Sequence, residues 1–216
     1  MYYPKLRPVR TVAPSTLPIT IDDVKAQSRI DAGDEDSLLQ FYIEAATGYL
    51  DGFTGILGRA LITQTWRQDY PQFCWLPGIS PYFYPYWQNL GMRLAIGDVQ
   101  SVTSVQYYDT ANVQQTLATS VYSLVIDDRG AYIALKPNQN WPTTYVRDDA
   151  VRVTYVSGYG DEASDVPAAI RLAICMLVAQ WYENRENVIL PMTRATIQPL
   201  PFAVDALLAP YRAVGV

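Results

Sequence analysis

Hydrophobic and polar positions along this chain change their period twice, from helical spacing to alternation and back. The widest apolar stripe lies late. Ile170, Ala173, Ile174, Leu177, Val178 and Trp181 recur at helical spacing, with Leu172 and Met176 on the flanks. A stripe that broad predicts a helix buried on most of its surface, over residues 167–187. Asp165 is the expected acceptor for the free N–H groups of its first turn. Pro167 suits that turn because the N–H it lacks would have no helical partner. Pro191 is the expected stop.

Two earlier stretches share the helical period. Thr20, followed by Asp22 and Asp23, predicts an N-cap and a helix over 21–29, with Ile21, Val24 and Ile30 inward. After a turn at Asp31-Ala32-Gly33, Asp34 or Asp36 should cap a second helix reaching residue 54. Its expected buried stripe is Leu39, Tyr42, Ile43, Ala46, Tyr49, Leu50 and Phe53. Gly48 and Gly52 weaken that helix slightly and permit close helix contact.

Between 59 and 157 the period becomes two. Strands are expected at 61–70, 92–96, 99–108, 113–117, 121–126, 131–135 and 151–156, with turns at Asp109-Thr110-Ala111-Asn112 and Asp127-Asp128-Arg129-Gly130. Short strands at close spacing predict an antiparallel β-sandwich or small barrel. The expected fold is therefore α+β: a helical core of about three helices, an inserted antiparallel β-domain and an extended C-terminal tail. The corresponding boundaries are an arm at 1–18, the core at 19–58 and 163–190, the insert at 59–162 and the tail at 191–216. Pro4, Pro8, Pro14 and Pro18 forbid a regular helix in the arm, which reads either as free and extended or as a strand across its own domain.

Two stretches do not fit plain packing. Residues 73–87 are crowded with aromatics and prolines and nearly uncharged. Trp75, Tyr82, Phe83, Tyr84, Tyr86 and Trp87 would either fold over the sheet or meet a partner; the partner reading is the preferred one. The tail alternates proline with apolar residues, including a brief helical turn at 205–209, and is too apolar for a solvated end.

Composition narrows the chemistry. The chain has 216 residues and no histidine, which removes Ser-His-Asp and Cys-His catalysis and the commonest metal ligand. Its two cysteines are Cys74, in a loop, and Cys175, in the apolar stripe; the second reads as a small buried hydrophobe, and a disulfide between them stays open. The net charge of −5 and the want of a basic stripe argue against a grip on DNA phosphates. The carboxylate pairs Asp22/Asp23, Asp127/Asp128 and Asp148/Asp149, and the Asp34/Glu35/Asp36 run, fall where capping and turns require them. Glu183-Asn184-Arg185-Glu186 reads as a solvated helix end. No P-loop, cofactor motif or metal cluster is visible, and no apolar run reaches the roughly 20 residues of a membrane helix. The first residues lack a signal peptide's apolar core, so no export is expected.

The ordered set Thr20-Ile21-Asp22-Asp23-Val24, Arg59-Ala60-Leu61-Ile62-Thr63-Gln64-Thr65-Trp66, Val99 to Val105, Val153 to Gly160, and Val166-Pro167-Ala168-Ala169-Ile170 through Arg185 resembles the head–tail connector, or adaptor, proteins of tailed phages and gene transfer agents. The resemblance covers roughly 19–185. It implies a structural protein of the virion's head–tail junction, made in the host bacterial cytoplasm. Such proteins form a homo-oligomeric ring, usually of twelve copies, below the portal protein and above the next neck protein, a stopper or tail terminator. Double-stranded DNA passes through as cargo, and no cofactor, metal, catalysis or membrane is involved. Carried onto this chain, the portal-facing residues would be Pro199, Leu200, Pro201, Phe202, Leu207, Leu208, Pro210, Tyr211 and Arg212. The chain departs from the family at 73–87, where the usual link is shorter. Two rival readings remain: another neck or tail-completion protein, and a β-sandwich binding module whose aromatic loop holds a glycan or peptide.

Overall fold

The computed structural model describes residues 7–30, 33–73, 91–185 and 202–212. The chain divides into two compact units, one of Pro14–Ile62 and Tyr159–Arg212 and the other of Met1–Ala13, Thr63–Gly158 and Ala213–Val216.

The first unit is helical. Helix α1, Ile21–Ser28, is closed at its start by a capping box. The Asp23 N–H donates to Thr20 Oγ1 at 3.2 Å, and the Asp23 carboxylate accepts the Thr20 N–H at 2.8 Å. Arg29, at φ 55°, ends the helix in a left-handed turn. Helix α2, Asp36–Leu50, stops short of the expected residue 54. Asp51 leaves helical geometry, its carboxylate accepts the Leu61 N–H at 2.8 Å, and Gly52 follows at φ 76°. At its other end neither Asp34 nor Asp36 caps it. Glu35 holds the N-cap position without a side-chain capping bond, and Asp36 pairs with Lys25 at 2.5 Å. Leu39, Ile43, Ala46 and Leu50 are fully buried as expected, but Tyr49 and Phe53 are exposed. Tyr49 stands on the side of α2 away from Leu39 and Ile43, and Phe53 lies past the end of the helix, so neither falls on the buried stripe.

Helix α3 is Ala168–Glu183, shorter at the C-terminal end than expected. Asp165 does not cap it. Pro167 takes the N-cap position, and Asp165 sits in a preceding 3-10 turn, where its carboxylate accepts the Glu162 N–H at 3.0 Å. The cause is Pro167 itself, which keeps Val166 extended and separates Asp165 from the helix. Helix α4, Phe202–Leu208, continues into a 3-10 turn, Ala209–Tyr211. One core joins the four helices. Val24, Leu39, Ile43, Ile170, Ile174 and Leu208 are each fully buried in it, and each such side chain stabilises by about 1.5–3 kcal/mol. Cys175 is a free thiol within that core, not half of a disulfide, and burial raises its pKa.

The second unit is a pair of antiparallel sheets. Its strands are β1 (Val9–Val12), β2 (Gln64–Tyr70), β3 (Met92–Arg93), β4 (Val99–Tyr108), β5 (Gln114–Thr116), β6 (Tyr122–Asp127), β7 (Gly130–Leu135) and β8 (Val151–Ser157). One sheet runs β1-β2-β8-β4-β5 and the other β3-β7-β6. Of the two readings of the N-terminal arm, the strand applies to residues 9–12, which pair with β2. Alternation sets the faces. Val151, Val153, Tyr155 and Ser157 of β8 are buried, and register places Trp66 opposite Tyr155 and Val105 opposite Val153 on that same side. The Tyr70 hydroxyl donates to the Arg93 carbonyl at 2.6 Å, and the Gln68 side chain accepts the Ala95 N–H at 2.8 Å, which ties the β3 edge to β2. The strand expected at 92–96 is shorter, Met92–Arg93, with the Leu94 N–H still donating to the Ala131 carbonyl in the same register.

Candidate interaction surfaces

The C-terminal segment is built from an amphipathic turn. Val204 and Leu208, four residues apart, are fully buried against the helical core, and Leu207 and Tyr211 pack partly on it. Arg59 Nε donates to the Tyr211 carbonyl at 2.7 Å and pins the turn that follows α4. Arg212 pairs with Asp205 at 2.6 Å on the exposed side, and Pro210 is exposed. The structure therefore brings Leu207, Leu208, Tyr211 and Arg212 together on the chain's own helical unit. Leu208 is consumed in holding that unit together. Phe202 opens α4, while Pro199, Leu200 and Pro201 lie outside the described residues. Sequence reasoning missed Val204 and Arg59; the four-residue spacing of Val204 and Leu208 was the available signal for the first.

The aromatic loop candidates Trp75, Tyr82, Phe83, Tyr84, Tyr86 and Trp87 also lie outside the described residues. Both flanks of that stretch are fixed. Phe73, before it, stacks on Trp141 with ring centroids 4.7 Å apart and leans on Tyr107 at 5.8 Å. Gly91, after it, lies so close to β7 that a Cβ would stand 1.9 Å from the Ile133 carbonyl oxygen.

Two helix faces stay apolar where water meets them. On α2, Phe41 is 62% exposed and Tyr49 39%. On α3, Leu172 is 39% exposed. The α2 and α3 ends are joined by polar contacts. The Tyr182 hydroxyl and Arg185 Nη2 both donate to the Glu35 carboxylate, the latter at 2.6 Å. These bonds, Arg185's first, lower the Glu35 pKa. Glu183, Asn184 and Arg185 are exposed at the helix end as expected, and Arg185 also ties α3 to α2.

Several charged groups of the β unit pair within it. Arg147 grips Asp149 through two nitrogens at 2.5 and 2.9 Å, lies 3.7 Å from the Tyr108 ring centre, and leaves Asp149 a third bond from Arg152 at 2.6 Å. The Arg147 bond, with that of Arg152, pushes the Asp149 pKa down to about 2. Asp149 is therefore an ion-pair acceptor and not only a turn residue. Arg93 holds Asp127 in the same bidentate way and its bond lowers that carboxyl to about 2, while Asp127 also accepts the Arg129 N–H of the expected turn. Among the described residues no group of three or more His, Cys, Asp or Glu could hold a metal ion, and no helix is long and apolar enough to cross a membrane.

A helical core built from distant segments, an intervening pair of sheets and helix faces left apolar on the outside define the class of an assembly component. The chain belongs to the phage gp6-like head-tail connector protein family, which matches residues 18–72 and 138–212. It is a structural head–tail connector. No curated protein matches it. Among solved structures it is similar, at 23% identity over 98% of this chain and 97% of the other, to chains from gene transfer agent particles. These are the virion of a native particle (TM-score 0.72), the neck of an empty particle computed with C6 symmetry (0.70) and the neck of a native particle computed with C12 symmetry (0.62). At that identity the likeness establishes the shared fold.

Proposed function

We propose that this protein forms the connector ring of a tailed phage or phage-like virion, with twelve copies seated below the portal and above the next neck protein. DNA passes through the ring as cargo, and the protein acts structurally rather than as an enzyme. The family match carries the reading: it spans the helical residues at both ends of the chain, and the similar chains come from necks with twelvefold and sixfold symmetry. In this reading the helical unit makes the ring and the segment around residues 199–212 meets the portal, with Pro199, Leu200, Pro201, Phe202, Pro210 and Arg212 as the contact candidates. The aromatic stretch 73–87 serves a contact special to this particle.

The test is to mix the purified protein with candidate portal rings and image the product by electron microscopy. Truncation after residue 190 is unsuitable as a control, since it removes Val204 and Leu208 from the core. A variant with Pro199, Leu200 and Pro201 all changed to Ser leaves Val204 and Leu208 unchanged. The wild type should cap the portal as a ring and the variant should not. Failure of both to bind would sink the portal assignment. A net charge of −5 also predicts weak binding to double-stranded DNA at physiological salt, and tight binding there would contradict a conduit that lets DNA slide.

A further inference from the structure

Helix α2 turns Leu39, Ile43, Ala46 and Leu50 into the core. Phe41, Ala45 and Gly48 recur on the opposite side at spacings of four and three residues, with Tyr49 beside them, and all four are exposed. The place where a Gly48 Cβ would stand has no atom within 4 Å. Helix α3 repeats the arrangement. Ala168, Leu172, Met176 and Ala179 follow one another on the side away from Ile170, Ile174 and Leu177, exposed at Ala168 and Leu172 and half-buried at Met176 and Ala179. A helix that meets only water carries charged and polar groups on its outer side. Here α2 offers Ser37 and one carboxylate, Glu44, toward the edge of its face, and α3 has the half-buried Arg171 and exposed Gln180 only at the flanks of its face and Glu183 at its last turn.

The two faces are alike in chemistry and differ in place. A two-fold dimer through either would leave the other bare. A head-to-tail contact of one on the other covers both at once, and where the rotation between copies closes it gives a ring. Their reliefs also fit: Phe41 and Tyr49 are large beside Ala45 and Gly48, and Leu172 and Met176 are large beside Ala168 and Ala179, so each helix offers knobs and gaps. We propose that successive copies of this chain join by laying the outer α2 face of one copy on the outer α3 face of the next. The inference rests on the ring reading above and names the surfaces that make the ring.

Two single-face variants test it. Phe41→Glu spoils one face and Leu172→Glu the other; both positions are exposed, so both variants should keep the wild-type circular dichroism and melting temperature. Assembly is read by sedimentation velocity in solution and by electron microscopy on portal rings. Wherever the wild type assembles, each variant alone should weaken association about thirty-fold or more and fail to form rings. An equimolar mixture of the two should form dimers and stop there, because one intact α2 face meets one intact α3 face. Rings from either variant, or a dimer of Leu172→Glu alone, would overturn the assignment while the ring reading stands. A wild type that stays monomeric in solution and on the portal would overturn the ring reading as well.

Discussion

Gly48 and Gly91 sit in opposite kinds of space, and the same substitution should act on them in opposite directions. Nothing lies within 4 Å of the missing Gly48 side chain, so Gly48→Ala should gain helix propensity and stabilise the isolated chain by about 0.5–1 kcal/mol. At Gly91 the new methyl would press on the Ile133 carbonyl, which is backbone and cannot swing away; Gly91→Ala should cost about 1–3 kcal/mol. Urea unfolding of both variants checks the pair. Titration behaves as clearly. Asp149 lies at about 2 in the folded protein against an ordinary 3.8, so its ion pairs stabilise fully above that ordinary value and lose their effect as pH falls from there towards 2. Asp149→Asn should therefore flatten the acid limb of stability against pH in that window, and a curve parallel to the wild type would refute this. At this scale the sequence was partly legible. The Thr20 capping box could be read because its partners are local. Asp165 has the spacing of a cap, but the extended residue before Pro167 takes it out of the helix. The Arg59 bond to Tyr211 spans 152 positions, and no local pattern announces it.

Helix α4 is the element whose role changed most between sequence and structure. It read as a brief turn in a tail seeking a dock, yet Val204 and Leu208 dock on the chain's own core. Leu208→Ala should cost about 2–5 kcal/mol, as removal of a fully buried leucine does, and thermal unfolding measures it. A change under about 0.5 kcal/mol would place Leu208 outside the cooperative core. The long helices and strands were legible because each repeats its period several times. Their ends were not, because local contacts decide them: Asp51 leaves α2 with its carboxylate on the Leu61 N–H, and Pro167, with Val166 extended before it, sets the start of α3. The outward apolar faces of α2 and α3 were half visible. Leu172 and Met176 were noted as flanks, but without the fold Tyr49 and Phe53 could not be told from core.

For the whole molecule, α+β architecture with a helical core and antiparallel sheets was legible from the two changes of period. The expected insert spanned 59–162, while the compact β unit takes 63–158 and adds the strand at 9–12, a long-range pairing that periodicity over four residues does not reveal. The family match passes over residues 73–137, which hold β3 to β7, and resumes before β8. Strands β2 and β8, on either side of that gap, are direct neighbours, with Tyr70 opposite Val151. The two ends of the unmatched stretch also lie close together: Phe73, its first residue, stacks on Trp141, four residues past its last, with ring centroids 4.7 Å apart. A segment attached that way can lengthen, shorten or be exchanged between relatives without asking the helices to move, much as a tool head is changed on a fixed handle. Change along a lineage can then collect in 73–137 while the residues that build the helical core stay as they are.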